Sequence, residues 1–286
     1  MHSDLIFRVE NFADPARRRP WLDLLDDIFG IDLTAFNQLG IWSAEHRAFC
    51  YWDGGTLAAH VAYRPVPLTV DGTIVAAGQI HGVATRAPYR QRGLFQDLMG
   101  RCLAHCDAHC DLQFLYTETP DLYTPFGFRI LPEYSFRGRF AGTSGQQPSS
   151  RPLTPIADLA LIQRLFAGRR PVSERLGLCA NVDIFLIHAI AHPHWHLSYL
   201  QAEDVLVVWE KATRRRLIDI AGARLPAPQT LLSLLGEDEL DILFPPDLLD
   251  GSFTPVPHVP EDNDLLMVRG HCTIREPVML PLTAVS

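Results

Sequence analysis

Apolar residues recur along this chain with two alternating periods. Trp21, Leu24, Leu25 and Ile28 fall at three- and four-residue spacing, which predicts a helix over residues 15–28 with one buried stripe. Residues 5–9, 48–52 and 57–70 are short apolar runs of strand length. Asp71-Gly72 lies between two such runs and predicts a two-residue hairpin turn, after which a strand resumes over residues 73–85. Helical spacing returns with Leu94, Leu98, Cys102, Leu103 and Cys106, up to about Cys110. A short apolar strand is expected over 112–116, then a final strand or pair of strands over 128–140. Asp32 is a suitable cap for a short second helix. Leu122, Phe126 and Phe128 are expected in the core.

The pattern weakens and then repeats. Residues 141–150 are small, polar and nearly uncharged, as linkers are. Beyond them, residues 154–167 and 182–191 read as helices, and 195–200, 205–209 and 217–221 as strands. A helix over 226–235 has proline in its first turn, and strands are expected over 240–244 and 265–269. Both halves thus run hairpin, strand, helix, strand. Strands and helices interleaved in this way predict a mixed α/β class in two units. Residues 1–140 form the first unit, 141–152 the linker and 153–286 the second unit.

Composition narrows the class. The chain is 47% hydrophobic and 20% charged, which supports a packed core and not disorder. No apolar run approaches the roughly 20 residues of a membrane span, and no basic segment leads into an apolar one at the N-terminus. The six cysteines are scattered or share one helix, so no disulfide framework is expected and a reducing cytoplasm fits. A formal net charge of −8 argues against nucleic acid as a partner. Sheet-edge surfaces leave room for a homo-oligomer.

The candidate chemistry sits where the strand over 73–85 turns into the following helix. The first N–H groups of a helix have no internal partner and carry the positive end of its dipole, so this turn can hold a phosphate. Arg90 and Arg92 add charge, and Gly93 lets a ligand approach the backbone. A P-loop needs two glycines and a Lys-Ser/Thr pair, and the dinucleotide fingerprint needs three glycines; neither is present.

The remaining pattern, Arg90-Gln91-Arg92-Gly93-Leu94-Phe95, resembles the pyrophosphate loop of the GCN5-related N-acetyltransferases (GNAT). Leu122-Tyr123-Thr124-Pro125-Phe126-Gly127-Phe128 resembles that family's second motif. About thirty residues lie between them, room for one helix and one strand. Phe95 departs from the small residue usual at the last loop position. The tandem layout is similar to the first two domains of the enhanced-intracellular-survival type; that type's third, sterol-carrier-like domain is expected to be absent.

The resemblance implies an acyl-CoA-dependent N-acyltransferase. Acetyl-CoA would be the co-substrate, no metal would be needed, and a small-molecule amine would accept the acyl group by direct attack. The coenzyme would be held by Val83, Ala84 and Thr85 along the strand and by Arg90, Gln91, Arg92, Gly93, Leu94 and Phe95 at the loop. Tyr123 would be the general acid for the leaving thiolate. Glu118 is the candidate base and His81 the second; strand alternation would put His81 and Val83 on one face. Asp121 could meet a cationic acceptor. The second unit lacks an Arg-x-x-Gly loop, reading Gly222-Ala223-Arg224-Leu225-Pro226-Ala227-Pro228 instead, so it is expected to be a degenerate GNAT-like domain that walls in the acceptor pocket or supports the first.

Two rival readings remain open. One is a non-catalytic acyl-CoA-binding or regulatory module. The other is a metal site, either at His105 and His109, one helical turn apart, or at His192, His194 and His196, which would alternate along a strand.

Overall fold

A computed structural model of the chain describes residues 5–11, 15–236, 239–260 and 263–284. The first half runs β1 (Ile6–Glu10), α1 (Pro15–Phe29), α2 (Thr34–Leu39), β2 (Arg47–Asp53), β3 (Thr56–Pro65), β4 (Leu68–Val70), β5 (Thr73–Val75), β6 (Ala77–Thr85), α3 (Leu94–Asp107), β7 (Leu112–Thr117), β8 (Arg129–Ile130) and β9 (Tyr134–Phe140). The second half contributes β10 (Ser150–Pro152), α4 (Leu159–Ala167), β11 (Leu176–Leu178), α5 (Val182–Ala191), β12 (His196–Leu200), β13 (Val205–Glu210), β14 (Arg216–Ala221), α6 (Pro228–Leu235), β15 (Leu240–Ile242), β16 (Gly251–Pro257) and β17 (Leu265–Gly270).

Local chemistry explains several boundaries. The Asp32 carboxylate accepts from the Thr34 N–H at 2.8 Å, but the cap position of α2 is Leu33 and not the expected Asp32, and Leu33 makes no side-chain cap bond; the helix stops at Gly40 with φ +70°. Asp71 (φ +45°) and Gly72 (φ +76°) make the expected tight turn. The strands around that turn are shorter than the apolar runs. Pro65 and Pro67 lack N–H donors, so β3 ends at Pro65 and β4 starts afresh. The β4–β5 ribbon then leaves the main sheet and pairs with β11 from the second half, Leu68 opposite Leu178.

Two seven-stranded mixed sheets dominate. The first has the order β1-β2-β3-β6-β7-β17-β8 and the second β10-β12-β13-β14-β15-β9-β16. In each, antiparallel hairpin strands meet one parallel neighbour, β6 with β7 and β14 with β15. The helix between them, α3 or α6, makes the crossover that a parallel pair requires.

Sheet membership crosses the expected division at 141–152. β9 lies before the linker, yet it pairs with β15 and β16 in the second sheet. β17 comes from the far end of the chain, yet it covers β7 along its whole length, from Leu265 opposite Thr117 to Gly270 opposite Leu112. Each half closes the other's sheet edge, which would otherwise present unpaired N–H and C=O groups.

The last described residues lie in this seam. Gln79 donates from Nε2 to the Ala284 carbonyl at 2.9 Å, and Asn181 donates from Nδ2 to the Thr283 carbonyl at 3.0 Å. The Thr283 hydroxyl donates to Asp219 at 2.6 Å, and Asp219 is ion-paired with Arg169, both side chains fully buried.

Candidate active site

β6 and β7 are paired only at their starts, from Ala77 opposite Leu112 to Gln79 opposite Phe114. Past that point β7 stays with β17, β6 stays with β3, and the two splay apart. A cavity of about 720 Å³ opens in the gap, bordered by His81 to Thr85 on one strand and Leu115 to Glu118 on the other.

A bulge sits at the widest part. Ala62 faces His81 and His60 faces Ala84, two steps on β3 against three on β6. The extra residue is accommodated at Gly82, where φ is +58° and an added Cβ would come 3.2 Å from the His60 ring. His60 is fully buried, and its Nδ1 donates to the Gly82 carbonyl at 2.6 Å, which fixes the proton on Nδ1. Burial lowers the His60 pKa to about 4, so the imidazole is neutral at neutral pH.

The bulge corrects one expectation. His81 and Val83 do not share a face, because the inserted residue breaks the period of two. Val83 packs with Ile80 and Leu98 on the α3 side. His81 points to the α1 side, where its Nε2 lies 3.0 Å from His46 Nε2. Burial, reinforced by the nearby Arg64 guanidinium, lowers the pKa of both imidazoles well below the ordinary range.

β6 leads into the loop. Gln91 (φ +59°) and Gly93 (φ +74°) turn the chain into α3. The first intrahelical bond runs from Asp97 N to Gly93 O at 3.1 Å, so the amides of Leu94, Phe95 and Gln96 precede it. Arg90, Gln91, Arg92 and Gly93 are exposed. The loop is braced: Arg90 Nε donates to Thr85 O at 3.1 Å and Arg92 Nη2 to Pro88 O at 2.8 Å. The Arg92 guanidinium lies 5.3 Å from the centre of the Tyr89 ring. A hollow of about 530 Å³ faces these groups and shares Thr85, Arg90, Phe95 and Leu122 with the cleft cavity.

Phe95 turns its ring into an aromatic cluster, edge-on to Tyr123 at 5.8 Å and to Phe126 at 5.7 Å. Tyr123 is buried between two short 3₁₀ turns, 120–122 and 124–126, and borders the cavity. Burial raises its pKa to about 12, against the pull of the Thr117 hydroxyl, so the phenol keeps its proton. Glu118 is exposed at the end of β7 and lines the cavity mouth, as does Asp264. Leu122 is not a core residue: it is 51% exposed and lies at the junction of the two hollows. Phe128 is buried as expected.

Several lining residues were not singled out from the sequence. α1 and the segment after it give an apolar wall that includes Trp21, Phe36 and Trp42, and α5 of the second half gives Asp183, Ile184, Ile187 and His188. No local signal ties α5 to the cleft; its placement depends on the packing of the halves. Arg64 did leave a trace, as a lone cation inside the apolar run 57–70. The histidine clusters take other roles. His105 and His109 stack on each other at 4.3 Å. His192 ends α5 and stacks on Trp195, His194 lies 3.1 Å from Glu210, and His196 stacks on Trp209. The strand begins only at His196, so the three rings do not alternate along it.

Residues 15–131 match the acetyltransferase (GNAT) domain family. The splayed parallel pair and the amide turn lie within the part of the chain that is similar to a GNAT domain. Solved structures extend the likeness in fold across both halves. A conserved protein of unknown function from Enterococcus faecalis V583 is 14% identical, with a TM-score of 0.61 over 93% of this chain and 72% of that one. A GCN5-related N-acetyltransferase from Kribbella flavida is 15% identical, with a TM-score of 0.57 over 92% and 71%. Eis1 from Mycobacterium abscessus, of the enhanced-intracellular-survival type, is 12% identical, with a TM-score of 0.57 over 92% and 73%. No curated protein matches the sequence. No helix among the described residues is long and apolar enough to cross a membrane.

Proposed function

We propose that the protein transfers an acyl group, acetyl in the first instance, from acyl-coenzyme A to a small-molecule amine. The observation that carries this reading is the continuity of two features. The splayed cleft and the amide-bearing turn open into one another through Thr85, Arg90 and Phe95. A thioester with a diphosphate at one end and a reactive carbonyl at the other fits that layout.

The diphosphate would take the amides of Leu94, Phe95 and Gln96, with Gly93 giving access and Arg90, Gln91 and Arg92 at the rim. The pantetheine arm would lie along Val83, Ala84 and Thr85, whose edge toward β7 has no strand partner among the described residues. Backbone N–H groups at the Gly82–Val83 bulge would polarise the thioester carbonyl. The amine nitrogen attacks that carbon, the C–N bond forms and the C–S bond breaks. Tyr123 supplies the proton to the departing sulfur. The nitrogen's proton goes to Glu118 at the mouth or to neutral His81 deeper in. Holding both reactants in one cleft provides much of the acceleration.

Thiol release from acetyl-CoA across an amine panel, run beside calorimetry with coenzyme A, tests the reading. Coenzyme binding with amine-dependent thiol release is expected. Binding without release from any amine would mark a non-catalytic acyl-CoA-binding module, and no binding at all would remove the coenzyme assignment.

A further inference from the structure

Arg64 lies on the α1 face of β3 and borders the cleft cavity at 5% exposure. Its Nε and Nη2 both donate to Gln79 Oε1, at 3.0 and 2.7 Å. Gln79 cannot turn away, since its Nε2 is committed to the Ala284 carbonyl. Nη1 makes no hydrogen bond to the described residues, and no described carboxylate forms an ion pair with the guanidinium. Asp183 of α5 is the one described acid whose charge it feels. Burial lowers the arginine's pKa only to about 10, so it remains a cation.

A buried cation held by a neutral amide, with a donor left over toward a cavity and no described carboxylate within ion-pair distance, is costly to keep unless something anionic completes it. The neighbouring histidines cannot, because both His46 and His81 are held neutral. The cavity that Arg64 borders is lined by Trp21, Phe36 and Trp42 from the first half and by Ile184, Ile187 and Asp183 from α5, with Glu118 and Asp264 at its mouth. Register places Arg64 opposite Gln79, two residues before His81, or about 7 Å along the strand.

We infer that the acceptor is an amine that also bears a carboxylate and an apolar body, as an apolar α-amino acid does, with the carboxylate taken by Arg64. This rests on the acyl-transfer reading and names the acceptor for that same cleft. A planar guanidinium with an unused donor edge matches a carboxylate better than a hydroxyl or a second amine. A polycationic acceptor would meet Arg64 as a like charge. The nitrogen would reach toward the bulge at Gly82–Val83 while the apolar body fills the aromatic wall.

The test compares phenylalanine, phenylalaninamide and 2-phenylethylamine as acceptors for the full chain, with thiol release from acetyl-CoA as readout. Phenylalanine is expected to exceed both others in kcat/KM by tenfold or more. Arg64→Gln and Gln79→Glu, the second placing an acid against the guanidinium, should each shrink that preference to threefold or less. Equal use of the three amines by the wild type, or an undiminished preference in both variants, overturns the assignment. Calorimetry with phenylalanine separates this proposal from the one it rests on. Binding that Gln79→Glu abolishes, without any thiol release, would sink acyl transfer and leave the carboxylate site standing. Neither binding nor release would sink both.

Discussion

In the first sheet the chain leaves β6 at Thr85, passes Gln91 and Gly93 in left-handed conformations, and enters α3 with three amides ahead of the first helical bond. In the second sheet it leaves β14 at Ala221, passes Gly222 to Ala227 and enters α6 at Pro228. Pro226 and Pro228 contribute no N–H there. The gaps beside the two parallel pairs differ as well. Beyond β6 and β7 lies a cavity, whereas beyond the Leu217–Ile242 pairing Leu243 donates back to the Leu217 carbonyl at 2.9 Å and Phe244 is fully buried. One strand plan therefore yields an open site or a filled core according to which donors the turn offers and which side chains follow the parallel strand. Fold and site are separate achievements.

The largest effect expected from this contrast is on stability. Phe244→Ala should cost about 3–5 kcal/mol, because it empties a fully buried position in the second sheet's core. Urea unfolding measures it, and a loss below about 1 kcal/mol would mean that ring does not hold the second core together.

The open gap is probed by Tyr123→Phe. Turnover should fall by about 10²-fold or more while coenzyme affinity changes by less than about a factor of two, as expected for a proton donor to the leaving group. Parallel losses in both would make the tyrosine a packing residue for Phe95. At the turn, replacing Arg90 and Arg92 together by alanine should weaken coenzyme binding by about tenfold at low salt. The difference from wild type should narrow as salt rises, since screening removes what the arginines contributed. Unchanged affinity would reassign the loop.

The smallest test addresses the seam between the halves. Glu133 is half-buried, accepting from the Tyr116 hydroxyl at 3.2 Å and the Leu280 N–H at 3.0 Å, and desolvation raises its pKa to about 7. A carboxyl that ionises later in the folded state than in the unfolded one stabilises the fold below its unfolded pKa of about 4.5; that advantage is lost as pH rises through about 7. The Tm of the wild type should therefore fall relative to Glu133→Gln between those pH values. Parallel curves would show that Glu133 is not protonated in the fold.

Much of the first sheet was legible from periodicity. The helix over residues 15–28, the Asp71-Gly72 turn and the loop at Arg90–Phe95 all rest on neighbours in sequence. The bulge at Gly82 was not legible: a single glycine in an apolar run does not say which strand it will be out of step with, and so the face of His81 was misjudged. Leu122 reads as a core residue by hydropathy but lines the join of two hollows. The strand over 265–269 was found, yet its partner was not, because hydrogen-bonding edges accept any extended segment that reaches them. For the same reason α5 could be drawn as a helix but not as a wall of the cleft.

The order of residues settled what adjacent groups decide between themselves: where the chain can turn, which amides stand ahead of a helix's first hydrogen bond, and where proline has removed them. Packing settled the rest. The spread of β6 from β7, the crossing of β9 and β17, and the enclosure of Arg64 beside the histidines depend on segments tens to hundreds of residues apart. Burial and edge pairing are satisfied by whatever lies nearest in space, and that is not written in any local stretch of the chain.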